Sequence, residues 1–129
     1  MMKKAKKSDW EIKEMPSKRA EFELNKSISK KEYEQLSLGL IPQDMDDRWF
    51  IYALGKKLFF HRSWVGSCIY IASIEKKQNE IKLTKAIVNR DKRQYWFEND
   101  EWDKKLINYL IDSLLLGKEV AFPRRGYSV

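Results

Sequence analysis

The chain has 129 residues, a net charge of +7, 43% hydrophobic residues and 35% charged residues. This length and composition predict a single soluble globular domain and exclude a disordered or fibrous chain. The apolar runs are too short to span a bilayer, and no apolar stretch follows the first lysines as in a signal peptide, so we expect a cytoplasmic protein that does not bind membranes.

The positive charge is concentrated at the N-terminus. Residues 1–19 contain seven Lys or Arg and three acids, a net +4, which leaves +3 for the rest of the chain. We therefore interpret residues 1–8 as a disordered basic leader, because specific nucleic-acid binders usually place their charge on the folded surface. The remainder is divided into a single domain over 9–123 and a flexible tail over 124–129.

The cysteine and histidine content limits the chemistry. Cys68 is the only cysteine and His61 the only histidine. A lone cysteine excludes an internal disulfide and fits a reducing compartment, and the usual zinc ligand sets are not available. The chain also lacks the glycine-rich motifs that hold phosphates. We expect no metal and no cofactor.

The first third of the chain predicts one edge strand and one short helix. Phe22 and Leu24 alternate with glutamates, as in a strand with one buried face. Ser29 and Glu32 form a capping box, which predicts a helix over 30–38.

The centre predicts an antiparallel meander followed by a long helix. The expected strands cover residues 48–54, 57–64, 67–74 and 80–89, with two-residue turns at 55–56 and 65–66. Apolar residues then recur every four positions and predict a helix over 100–116 that packs on the sheet: Trp102, Leu106, Leu110 and Leu114. The fold class is α+β, an antiparallel sheet of four or five strands with a long C-terminal and a short N-terminal helix.

These turns predict which side chains meet. His61 would lie opposite Phe50 in the first hairpin and opposite Tyr70 in the second. One face would be apolar and covered by the long helix, with Arg62 and Trp64 at its end. The other face would be aromatic with polar tips: Phe50, His61, Tyr70, Arg48 and Ser63.

The string 61–66, His-Arg-Ser-Trp-Val-Gly, marks the candidate site. A histidine stands where a structural strand would carry Val or Ile, although it could equally be hydrogen-bonded within the fold. Because neighbouring strand residues point to opposite faces, Arg62 and Trp64 can meet His61 only around the sheet end, near Gly66. We expect any function to lie at this end, with Arg90 brought near by the meander.

A resemblance supports the same region. The segments 47–52 and 58–70 are similar to the block DRWF-x-Y … L-x-F-H-R-S-W-T-G-x-x-I-Y of an uncharacterised family of small bacterial domains, with Val65 in place of the usual Thr. Residues 89–95 and 110–117 resemble its second half. The resemblance implies a shared fold and a shared site but no established activity. The implied site residues are Arg48, His61, Arg62, Ser63, Trp64 and Arg90.

Four functions follow as hypotheses, and the fourth is a partner protein in an immunity or toxin–antitoxin pair. The first is a non-enzymatic binding module that recognises an anionic nucleotide-like ligand or a protein partner through the residues named above, Tyr70 included. The second is a small enzyme with His61 as general acid or base, acting on nucleotide or ADP-ribose-type substrates. The third is a nucleic-acid-binding protein that uses the lysine-rich leader.

Overall fold

The computed structural model describes residues 3–96 and 98–124. In these described ranges, five antiparallel strands form one sheet in the order β1-β5-β4-β3-β2, which confirms an α+β fold with an antiparallel sheet. Strands β2 to β5 form a meander, and β1 lies at the edge beside β5. The strands are β1 (Arg19–Ile28), β2 (Trp49–Leu54), β3 (Lys57–Arg62), β4 (Cys68–Lys77) and β5 (Glu80–Asn89).

The helices begin where their caps predict and end differently. Helix α1 (Lys30–Leu36) starts after Ser29, whose side chain accepts a hydrogen bond from Glu32 N at 3.0 Å, and it ends two residues before the predicted position. Helix α2 (Asp100–Tyr109) starts after Asn99 and continues as a wider π-helical segment (Leu110–Leu115). Nearer the N-terminus the chain makes only a 3-10 turn, Lys7–Asp9.

The main core lies between the sheet and the C-terminal helical region, as the apolar stripe predicts. From α2 and the π-helical segment it takes Trp102, Leu106, Ile107, Leu110, Ile111 and Leu115, and from β2 and β3 it takes Trp49, Ile51, Leu58 and Phe60. We call this side of the sheet the helix face. Leu114 was expected in the stripe but is exposed, because the chain changes from α to π winding before it and its side chain turns outward.

The register of the first hairpin is confirmed and that of the second is wrong. Phe50 lies opposite His61, as two-residue turn geometry at Gly55 predicts. In the second hairpin Tyr70 lies opposite Phe60, whereas His61 lies opposite Cys68 across a β-bulge. The reason is that residues 63–67 form a longer loop in place of a two-residue turn. Tyr70 therefore lies on the helix face, away from His61.

An N-terminal segment, residues 5–13, covers the opposite side of the sheet. Ala5 N donates to Leu38 O at 2.7 Å, and the ring of Trp10 stacks on Phe50 with centroids 5.9 Å apart. Ala5 is buried in a second small core with Phe50 and Tyr52. Within the segment predicted as a basic leader, the small side chain of Ala5 packs against Gly39.

The structure describes only part of the two terminal segments that the sequence predicts to be disordered or flexible. Residues 1 and 2 of the leader and residues 125–129 of the predicted flexible tail lie outside the described residues. Among the helices of the described ranges, none combines the length and the apolar character needed to cross a membrane.

Candidate functional site

A cleft opens at the end of the sheet where β3 stops. Its volume is about 660 Å³, and it lies between the sheet end and α2. Its described lining is aromatic and cationic: Arg48, Trp49, Arg62, Val65, Gln94, Tyr95, Trp96, Trp102, Leu106 and Phe122. The size falls within the range of small-ligand pockets, and arginines beside aromatic rings can hold a planar or anionic group.

Two arginines give the cleft its charge. The guanidinium carbon of Arg62 lies 5.2 Å from the ring centroid of Trp49, and that of Arg48 lies 5.7 Å from the ring centroid of Trp64. Neither guanidinium makes an ion pair with any carboxylate in the described part of the chain. Burial lowers the pKa of Arg62, and the nearby charge of Arg48 lowers it further. The cleft therefore carries positive charge that these carboxylates do not neutralise.

A buried carboxylate supports the cleft from below. Asp103 is fully buried and accepts hydrogen bonds from Tyr70 Oη at 2.6 Å, from Arg90 Nη2 at 2.7 Å and from the hydroxyl of Tyr95. Burial is the main cause that raises the pKa values of Tyr70 and Tyr95, so both hydroxyls keep their protons and donate. Since Tyr95 also lines the cleft, Asp103 fixes one wall.

This network explains where two predicted site residues lie. Tyr70 is buried beneath the cleft, and Arg90 pairs with Asp100 and Asp103, so neither is among the residues that line it. Burial by itself would lower the pKa of Arg90, but its bonds to the two carboxylates raise it. The sequence reasoning missed Asp103, although its spacing of three and four residues from Leu106 and Ile107 places it on the apolar stripe.

His61 is separated from the two cleft arginines. It is 2% exposed, beneath the N-terminal segment, and its ring stacks on Tyr52 with centroids 5.7 Å apart. Its Nδ1 lies 3.0 Å from Gly66 O, and because a carbonyl only accepts, the proton is assigned to Nδ1. Its Nε2 is buried and has no hydrogen-bond partner among the described residues. Burial lowers the pKa of His61 and the charge of Lys7 lowers it further, although the bond to Gly66 opposes both.

Ser63 and Trp64 hold the loop after β3. The hydroxyl of Ser63 donates to Asp47 O at 2.7 Å, and its carbonyl accepts from Trp10 Nε1 at 2.8 Å, so the side chain is used in the backbone scaffold. The indole N–H of Trp64 donates to Met45 O at 3.0 Å, and its ring is mostly exposed. Trp64 contacts Arg48, which lines the cleft, but Trp64 is not itself among the lining residues.

Two other kinds of chemical centre are a reactive thiol and a bound metal ion. Burial raises the pKa of the Cys68 thiol to about 12, so this cysteine is held as an unreactive thiol. Within residues 3–96 and 98–124, no three side chains of His, Cys, Asp or Glu gather in a way that could hold a metal ion.

The predicted site is thus divided by the sheet. Arg48 and Arg62 meet in the cleft, Trp64 borders it, and His61 and Ser63 are enclosed on the other side. Comparisons with family models, with curated proteins and with solved structures find no match. The resemblance to small bacterial domains therefore stays a prediction.

Proposed function

We propose that the protein is a non-enzymatic binding module that recognises an anionic group in the cleft between Arg48 and Arg62. The group would be carried by a nucleotide-like ligand or by a protein partner. The observation that supports this proposal is the pair of arginines in one aromatic cleft, without an ion pair to a described carboxylate. Two neighbouring cations repel each other, and an anion bound between them would relieve that repulsion.

The position of His61 bears on the alternative of a small enzyme. A general acid or base must come within hydrogen-bond reach of its substrate. His61 is enclosed by the N-terminal segment, and its Nδ1 already bonds to Gly66 O. Catalysis by His61 would require residues 5–13 to leave the sheet, so we favour binding over catalysis.

A cytoplasmic location belongs to the same proposal, because Cys68 is a buried free thiol.

The test is a thermal-shift titration with pyrophosphate, ADP, ADP-ribose and polyglutamate. We expect at least one of these anions to raise the melting temperature of the wild type, because a ligand that binds only the folded state stabilises it. The shift should disappear in Arg48→Ala/Arg62→Ala. It should persist in Lys56→Ala/Lys57→Ala, which removes two exposed charges at the opposite end of β3.

Two results would contradict the proposal. One is that none of the four anions changes the melting temperature. The other is an equal shift in the wild type and in the Arg48→Ala/Arg62→Ala variant, which would place the anion elsewhere on this basic chain.

A further inference from the structure

Large exposed apolar side chains gather around the same cleft. Five of them, each 57% exposed or more, form what we call the apolar rim: Met45, Trp64, Val65, Trp96 and Phe122. The last three line the cleft, Trp64 adjoins them through Val65 and Arg48, and Met45 lies beside Trp64. Scattered exposed apolar residues are ordinary, but a contiguous group of them marks an interaction surface.

The apolar rim does not enclose the cleft. Trp96 and Phe122 form its walls and yet expose most of their own surface to solvent. A small-molecule site usually buries most of its ligand, which requires walls that are themselves covered. Walls of this kind suit a partner that covers both the cleft and the apolar rim.

The charges around the apolar rim indicate what kind of macromolecule fits. Arg48 and Arg62 line the cleft, whereas exposed acids neighbour two of the rim residues in the chain: Asp44 and Asp46 beside Met45, and Glu98 after Trp96. A nucleic acid carries regular negative charge along its length and needs a continuous basic track. A protein segment can place a few carboxylates at its centre and apolar residues on either side.

We infer that the cleft and the apolar rim together form a docking surface for an acidic, apolar segment of a protein partner. Carboxylates of that segment pair with Arg48 and Arg62, and its apolar side chains pack on Trp64, Val65 and Phe122. Arginine binds carboxylates through two parallel hydrogen bonds, and Trp and Arg are enriched among residues that dominate protein interfaces. This inference rests on the proposed function, because it specifies that the bound anionic group belongs to a protein segment.

The test compares two peptides by calorimetry and fluorescence anisotropy. One has Glu residues at its centre and Leu residues on either side, and the other has the same length with Ser in place of each Leu, so that only the apolar content differs. We expect the Glu–Leu peptide to bind the wild type about tenfold more tightly or better. Arg48→Ala/Arg62→Ala should abolish binding of both peptides.

Three single variants locate the apolar contribution. Trp64→Ser and Val65→Ser should each remove much of the preference for the Glu–Leu peptide, and Val65→Ser keeps the test valid if Trp64→Ser disturbs the loop. Leu54→Ser is the matched control, since Leu54 is 58% exposed at the other end of β2. It should leave the preference unchanged.

The outcomes separate the inference from the proposed function. Equal binding of both peptides, lost without the two arginines, overturns the docking surface and keeps the anion site. Tighter binding of ADP or of single-stranded oligothymidylate than of the Glu–Leu peptide also overturns the inference. If no anion binds at all, the proposed function and the inference fail together.

Discussion

His61 illustrates how a polar residue can be held in a sheet without a role in the cleft. Its ring is surrounded by Phe50 and Tyr52, and one nitrogen bonds to Gly66 O. The same carbonyl accepts a second bond from Lys13 N at 2.9 Å, so His61 and the N-terminal segment share one anchor. A charged imidazole here would lose hydration at a buried site.

The first prediction is a pH dependence of stability that depends on His61. Its folded pKa lies below the usual value of 6.5, so the unfolded chain takes up the proton first as the pH falls. The stabilisation is complete above the unfolded pKa and is lost as the pH falls toward the folded pKa. We expect the free energy of unfolding, measured in urea, to decrease between about pH 7 and about pH 5.

The control for this prediction is His61→Gln, which can still donate to Gly66 O but does not titrate. Because the chain has one histidine, the decrease should be much smaller in this variant. An identical pH profile for both proteins would assign the effect to other groups.

Asp103 provides the second prediction. Replacing it with Asn removes a buried charge that binds Arg90 and two tyrosines. Breaking a buried ion pair typically costs about 3–5 kcal/mol, so we expect a loss of that order in urea unfolding. Asp100→Asn is the matched control, because it removes the exposed partner of the same arginine and should cost less than about 1 kcal/mol. Equal losses would show that burial of the carboxylate is unimportant.

At the scale of elements, the N-terminal segment and the loop after β3 depend on each other. Gly66 has φ +78°, a conformation that L side chains rarely adopt, and a Cβ there would lie 2.6 Å from Glu11 O. The loop therefore approaches the backbone of residues 11–13 as closely as a glycine allows. Gly55, in the first hairpin, has φ +63° but open space around it.

This difference gives the third prediction. Gly55→Ala should cost about 1 kcal/mol, because only the backbone is strained. Gly66→Ala adds the clash with Glu11 O and should release the N-terminal segment. We expect trypsin to cleave after Lys13 faster in Gly66→Ala than in Gly55→Ala, as followed by mass spectrometry. Equal cleavage rates in the two variants would contradict a close contact at Gly66.

The two hairpins show which parts of the fold the sequence could predict. The first hairpin was correct because its turn depends on two adjacent residues, Gly55 and Lys56, and turn chemistry is local. The second was wrong because residues 63–67 are shaped by contacts with Trp10 and Lys13, far away in the chain. A single bulge in this hairpin then placed Tyr70 on the face opposite His61.

The cleft itself was only partly predictable. Arg48 and Arg62 were named from the sequence, but the sequence placed them on opposite faces. Arg90 was expected beside them and is held by Asp100 and Asp103. Such pairing depends on where α2 packs. The apolar stripe predicts which face of α2 is buried, but it does not predict which side chains α2 places beside Arg90.

At the scale of the whole molecule, Arg90 and the two cleft arginines differ in their charge environment. Arg90 is neutralised by buried or nearby acids, whereas Arg48 and Arg62 make no ion pair with a carboxylate of the described ranges. In a protein of net charge +7, unneutralised cations in one cleft cost stability in the free state. Under the proposed function, an anion bound between them would remove part of that cost.

The last prediction tests whether these two cations are needed for the fold. Arg48→Gln/Arg62→Gln and the control Lys56→Gln/Lys57→Gln each lower the net charge from +7 to +5. Loss of the two cation–π contacts costs about 0.5–1 kcal/mol each, and relief of repulsion and burial opposes that loss. We expect the free energy of unfolding of the arginine variant to stay within about 1 kcal/mol of the control. An anion that stabilises the wild type should also stabilise the control variant and should leave the arginine variant unchanged. A much larger loss in the arginine variant would mean that these two cations serve the fold, as Arg90 does, and not a ligand.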